Sequence, residues 1–218
     1  MVTCYFGLPG CGKSTFLAML AQKELKRIAR GRSKYERVLT NFYVQGCFQV
    51  DYEDLGKYEI ENSLILLDEL TLFADSRDYK LFTAAKKYFF LMHRHYNCDI
   101  VYFTQQWDGI DKKIRDITSD LFYLKKCFAN VNSLLLRPFQ SFSVARRVFR
   151  TLEINEYTKE IVNGYRFPSF WERIFGGRTK IFCFRPKWYK YFDSWEKTKQ
   201  LLPFFVIPWT SDLDDLEV

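Results

Sequence analysis

The residues Gly7-Leu8-Pro9-Gly10-Cys11-Gly12-Lys13-Ser14 fill every fixed position of the pattern G-x-x-x-x-G-K-[ST]. Glycines at such spacing let the backbone turn so that successive N–H groups converge on one anion. A helix beginning at the lysine adds its positive end to the same point. A lysine there reaches the β- and γ-phosphates of a nucleoside triphosphate, and the following hydroxyl ligates Mg²⁺. The expected contacts with ATP are Gly7, Pro9, Gly10, Cys11, Gly12, Lys13, Ser14 and Thr15, with Ser14 also holding the metal.

The flanks suit this reading. Val2 to Phe6 is a short β-favouring run, and Lys13 to about Arg30 carries Phe16, Leu17, Leu20, Leu25 and Ile28 at helical spacing before Gly31. Further strands are expected at Arg37 to Val44, Ser63 to Asp68, Asp99 to Thr104 and Leu121 to Lys126. Helices are expected at Tyr79 to His95 and Gly109 to about Thr118. Strands alternating with helices predict an α/β fold with a central, mainly parallel sheet flanked by helices. Residues 1–130 form the expected core. Residues 131–218 are expected as a small β-containing extension packed on it, with strands at Ser133 to Phe142, Val144 to Ile154 and Thr179 to Arg185 and a turn at Gly176-Gly177.

Ligands in such sheets sit at the carboxyl ends of strands. Leu64-Ile65-Leu66-Leu67 is a buried strand that ends in Asp68-Glu69. Asp68 is placed to hold magnesium, and Glu69 to polarise an attacking water. In chain order the strand from Arg37 lies between the phosphate-loop strand and the Asp68 strand. That insertion, with an acid following the aspartate, resembles the RecA-like division of P-loop NTPases. Gln105, ahead of Gln106, ends the strand from Asp99 and is the candidate sensor of the γ-phosphate. An arginine lent by a neighbouring subunit often neutralises the transition state; Arg94, Arg115 and Arg77 are the candidates.

Composition bounds the rest. With 48% apolar and 27% charged residues, the 218-residue chain is a folded one and not a disordered tract. The formal net charge is +7 although Asp212, Asp214, Asp215 and Glu217 crowd the end, so the body is more basic still. Such a body suits a polyanion such as DNA, or an anionic membrane surface. The six cysteines have no metal-ligand spacing and read as buried thiols in a reducing compartment. His93 and His95, two apart on a helix, do not share a face and make no metal pair. No run reaches the roughly 20 apolar residues of a spanning helix; the longest candidate, Leu201 to Trp209, carries Pro203 and Pro208.

Taken together the pieces resemble the N-terminal ATPase domain of the zonula occludens toxin (Zot) family, which includes filamentous-phage assembly ATPases of the FtsK/HerA superfamily. The resemblance rests on the loop, Thr40-Asn41, Leu67-Asp68-Glu69, the block from Arg94-His95-Tyr96-Asn97-Cys98-Asp99-Ile100 to Thr104-Gln105, Ile110-Asp111, Ile114-Arg115 and Tyr191-Phe192-Asp193-Ser194. It implies a homo-oligomeric, hexameric ring that hydrolyses ATP to drive DNA translocation, packaging or virion extrusion, with glutamine as the sensor. Family members usually continue into a membrane-spanning helix and a periplasmic domain, whereas this chain ends in an acidic tail at Val218. The expectation is therefore a cytoplasmic motor with no spanning segment of its own, docked peripherally at the inner membrane through a membrane or capsid protein.

Residues 165–199 are dense in cations and aromatics, with Arg185, Lys187 and Lys190 alternating with Trp188, Tyr189 and Tyr191. They read either as a surface for single-stranded DNA or as aromatics packing the last strand on the core. Two other functions fit a bare phosphate loop: a kinase for a nucleotide or small metabolite, and a nucleotide-gated scaffold without useful turnover. Lys13, Asp68 and Glu69 together argue for hydrolysis.

Overall fold

The computed structural model describes residues 1–58, 60–72, 74, 83–127, 141–154, 161–175 and 179–192. Its strands are β1 (Val2–Phe6), β2 (Arg37–Thr40), β3 (Phe48–Gln49), β4 (Ser63–Leu67), β5 (Asp99–Thr104), β6 (Asp120–Lys126), β7 (Phe142–Ile154), β8 (Ile161–Arg166) and β9 (Lys180–Phe184). Its helices are α1 (Lys13–Ile28), α2 (Ala84–Met92), α3 (Lys112–Ile117) and α4 (Phe170–Phe175). Among the described residues none of the helices is long and apolar enough to cross a membrane.

All described strands join one sheet in the order β3-β2-β4-β5-β1-β6-β7-β8, with β9 on the free flank of β7. From β3 through β6 every pairing is parallel. β5 therefore stands between the phosphate-loop strand β1 and the Asp68 strand β4, and β2 lies outside them. This is a mainly parallel α/β sheet with helices on both faces. On one face α1 buries Phe16, Leu17, Ala18, Met19 and Ala21 against Val38, Leu66, Phe103, Phe122 and Leu124. On the other, Phe89 and Phe90 of α2 and Ile114 of α3 cover Leu39, Ile65, Leu67, Ile100 and Tyr102. β4, between the two cores, is buried at every position and apolar from Leu64 to Leu67, because neither of its faces meets water.

The chain beyond residue 141 adds its strands to the same sheet. β7 runs antiparallel to β6 from Leu121↔Val148 to Lys126↔Ser143, then pairs its outer half with β8 and its inner half with β9. The expected strand at Ser133 to Phe142 lies outside the described residues except for its end, and the Gly176-Gly177 turn lies outside them entirely.

Some boundaries differ from expectation for local reasons. β2 stops at Thr40, whose hydroxyl donates to the Phe42 carbonyl at 2.9 Å and turns the chain short of Val44. α3 starts at Lys112 and not Gly109, because Asp111 caps it by accepting the Lys113 N–H at 2.8 Å. α2 starts after Thr83, its N-cap; residues 79–82 of the expected helix are not described. It ends at Met92 with His93 as its C-cap.

Candidate active site

β1 delivers the chain to Gly7, whose N–H donates to the Thr104 carbonyl at the end of β5 at 3.2 Å. Only glycine fits there: a Cβ would lie 2.2 Å from the Leu124 carbonyl oxygen of β6. Gly12 takes φ 95°, in the left-handed region, and a Cβ there would also press to 2.9 Å from both Ser143 Oγ and Arg185 Cδ. The loop is propped from beneath, since Ser143 Oγ of β7 donates to the Cys11 carbonyl at 2.6 Å. Leu8, Pro9 and Gly10 are exposed, whereas Cys11, Lys13 and Thr15 are buried. Burial pushes the Cys11 thiol above its ordinary value, against the pull of Lys13, so it stays protonated.

Three strand ends meet the loop. Ser14 Oγ donates to Asp68 Oδ2 at 2.7 Å. The Lys13 ammonium, 7% exposed, lies 3.3 Å from Glu69 Oε1 and 3.2 Å from the Gly7 carbonyl. Gln105 Nε2 donates to the same Glu69 Oε1 at 3.1 Å. The structure thus brings Lys13, Ser14, Asp68, Glu69 and Gln105 together at the carboxyl ends of β1, β4 and β5. Gln106 instead folds back on Thr104, whose hydroxyl donates to the Gln106 carbonyl at 3.0 Å.

Asp68 is held by its backbone and its carboxylate at once. Asn41 Nδ2 donates to the Asp68 carbonyl at 2.9 Å, and Asn41 Oδ1 accepts the Asp68 N–H at 2.8 Å. Desolvation raises the Asp68 carboxyl above its ordinary value, and Glu69 pushes the same way; the Ser14 hydroxyl and Lys13 oppose. Glu69 follows with φ 48°, a left-handed backbone that a residue with a Cβ takes up only when its surroundings hold it there. Two hard oxygen donors, Ser14 Oγ and Asp68 Oδ2, side by side and close to a lysine, form a donor set suited to magnesium on a polyphosphate.

The arginines lie apart. Arg94 borders a cavity with Met1, Lys34 and Asp99, at the amino ends of β1 and β5 and so at the sheet edge opposite the loop. Arg115 pairs with Asp108 at 3.5 Å, and its carbonyl accepts from Arg150, which ties it to its own chain. Arg77 lies outside the described residues. His93 is buried with Nδ1 2.7 Å from the Phe90 carbonyl, and desolvation lowers its pKa; it closes α2. Sequence reasoning singled out neither Asn41 nor Ser143 as a site residue. Asn41 directly after a buried strand was the available signal; Ser143 has none, because only pairing across the sheet puts it under the loop.

The Zonular occludens toxin (Zot) family matches over residues 23–129. The match takes in Asn41, Asp68, Glu69 and Gln105 and begins after the phosphate loop, so loop and family are independent observations. No curated protein matches the chain in sequence. Among solved structures, the N-terminal domain of zonular occludens toxin from Neisseria meningitidis has a TM-score of 0.46 at 14% identity, over 78% of this chain and 94% of that one. B204, the DNA-packaging ATPase from Sulfolobus Turreted Icosahedral Virus, has a TM-score of 0.44 at 10% identity, over 74% of this chain and 95% of that one. Neither likeness is close enough to carry a function across. In sequence, residues 23–129 match the Zot family, behind a complete phosphate loop.

Proposed function

We propose that the protein is an ATP-hydrolysing motor of phage or plasmid origin that moves DNA or drives virion assembly. The observation that carries it is the chain of contacts Gln105–Glu69–Lys13 beside Ser14–Asp68, which puts the candidate sensor, base, phosphate ligand and metal ligands within reach of one another at the carboxyl ends of β1, β4 and β5.

The loop amides and Lys13 would grip the β- and γ-phosphates, with Thr15 next in line on α1. Ser14 and Asp68 would hold magnesium, which neutralises charge on the phosphates when bound. Lys13 is shared between Glu69 and Gly7. A γ-phosphate arriving at the loop competes for that ammonium and releases the Glu69 carboxylate to accept a proton from the attacking water. Gln105, already donating to Glu69, would report the loss of the γ-phosphate to β5 and the loop beyond it. A homo-oligomeric ring would place an arginine from a neighbour against the site; Arg94, at the far sheet edge, is better placed for this than Arg115, which Asp108 engages. The Zot match supports the motor over the kinase and scaffold readings, since it covers the strands that carry Asp68, Glu69 and Gln105.

The test is phosphate release by parent, Lys13→Ala and Glu69→Gln chains, with and without single- and double-stranded DNA. Lys13→Ala should lose ATP binding. Glu69→Gln should bind ATP as the parent does yet turn over at least about 100-fold slower, the usual worth of a positioned base. Unchanged turnover in Glu69→Gln would remove Glu69 from the chemistry. A rate indifferent to both DNAs would remove the motor.

A further inference from the structure

Beside the phosphate loop opens a cavity of about 680 Å³, lined by Leu8, Pro9, Gly10 and Cys11 of the loop and by the ends of β6, β7 and β9. Among the described residues its lining includes four cations, Lys125, Lys126, Arg146 and Lys180, and no carboxylate. Strand register lays out the floor. Tyr123 stands opposite Arg146, and Arg146 opposite Lys180; one step along, Lys125 stands opposite Val144, and Val144 opposite Phe182. Directly paired residues share a face, so these form two rows across three strands. The reverse face of the same strands is the core under α1, where Leu124, Ala145 and Cys183 are buried.

Two features of this floor work against stability. Arg146 and Lys180 are like charges in direct cross-strand register, an arrangement that destabilises a sheet. Among the described residues none of the four cations is paired with a carboxylate, and Arg146 Nε is shut from solvent without a hydrogen-bond partner. Phe182, in the cavity wall, is 59% exposed, and Phe184 at the end of the same strand is 43% exposed. Arg146 lies over the Phe167 ring at 5.9 Å, and Phe184 packs on Phe142 at 4.9 Å; cations with no described acid beside them and the open Phe182 ring call for a polyanion that also presents flat faces.

We infer that this cleft is a binding track for single-stranded DNA, with Lys125, Arg146 and Lys180 on the phosphates and Phe182 under a base. A duplex hides its ring faces within the stack and leaves Phe182 nothing to contact, so the single strand is the form that uses both features. The inference rests on the motor reading and places its DNA: the track runs along the wall of the phosphate loop. β7 carries Ser143 beneath Cys11 and, on its other face, Val144 and Arg146 into the cleft. Occupancy of the cleft and of the loop are thereby felt by one strand.

The experiment is fluorescence anisotropy of a labelled oligothymidylate, titrated with parent, Lys125→Gln/Lys180→Gln and Phe182→Ser chains over a series of salt concentrations. A fluorescent ATP analogue is titrated in parallel, and each variant's melting is checked. Lys125, Lys180 and Phe182 are exposed, so the replacements leave the cores intact. The double lysine variant should lower the slope of log K against log salt by about 1.4, the counterion release of two phosphate contacts. Phe182→Ser should weaken the oligonucleotide about tenfold, the worth of one stacked base. ATP-analogue affinity should stay within twofold of the parent. Oligonucleotide binding equal to the parent in both variants overturns the inference. So does loss of ATP-analogue affinity with the oligonucleotide unaffected, which would make the cleft the seat of the purine. Tight binding of the parent to vesicles of anionic lipid, with none to the oligonucleotide, overturns it in favour of a membrane surface. If the parent takes up the oligonucleotide but no ATP analogue, the motor reading fails and the track stands.

Discussion

At the scale of single residues, the site trades stability for readiness. Asp68 keeps its carboxylate in a desolvated place, so its pKa stands above the ordinary value. The sign follows directly: the folded chain holds that proton more tightly than the unfolded one. The ionised form costs stability above the folded pKa, and the cost fades as pH falls from there to the ordinary value of about 4. Asp68→Asn removes the charge and keeps partners for Ser14 and the Glu69 N–H. The variant without ligand should melt at or above the parent's temperature at pH 7, with the gap closing towards pH 4. Its magnesium-dependent ATP binding should fall at least tenfold. Thermal melts across pH, paired with ATP titrations with and without magnesium, check both halves; a variant that melts well below the parent at pH 7 would contradict the account. In the parent, ATP affinity should fall as pH drops through the raised Asp68 pKa, since a protonated carboxyl no longer holds the metal.

At the scale of elements, Asn41 shows how a turn serves chemistry. β2 ends one residue before it, and its side chain clamps both polar groups of the Asp68 backbone. Asn41→Ala leaves two part-buried backbone groups unpartnered and should cost about 1–3 kcal/mol, measured by denaturant unfolding. It should also lower turnover, because Asp68 and the left-handed Glu69 lose their mooring. Normal stability and turnover together would show the clamp to be idle. The same elements mark what was legible in the sequence. β5 has the expected bounds, Asp99 to Thr104, because its residues are apolar on both faces and framed by polar ones. The loop, α1, Asp68-Glu69 and Gln105 were readable because each is a local signal at fixed spacing. β3 has only two residues, too few to show a period. β8 carries Asn163 and Gly164 within Ile161–Arg166, which masks a strand. α4 spans six residues, Phe170–Phe175, with aromatic residues at three of them, a composition that favours strands. Ser143 and the cationic rows depend on pairing between distant segments, which no local pattern encodes.

At the scale of the whole molecule, the site lies on one edge of the sheet and Arg94 on the other. A head-to-tail ring is the arrangement that joins such edges. Scattering mass with magnesium and a non-hydrolysable ATP analogue should rise above that of the single chain, and should not rise for Lys13→Ala. Turnover per chain should increase with protein concentration until the assembly is complete. A flat specific activity with an unchanged mass would mean that each chain acts alone. The strand β7 sets the character of such a machine. It has 13 residues, so it spans roughly 40 Å. Near one tip its Ser143 bears on the underside of the loop that carries Lys13. Laced by backbone hydrogen bonds to β6, β8 and β9, that strand is an abutment set in the sheet, and the floor of the loop inherits its rigidity.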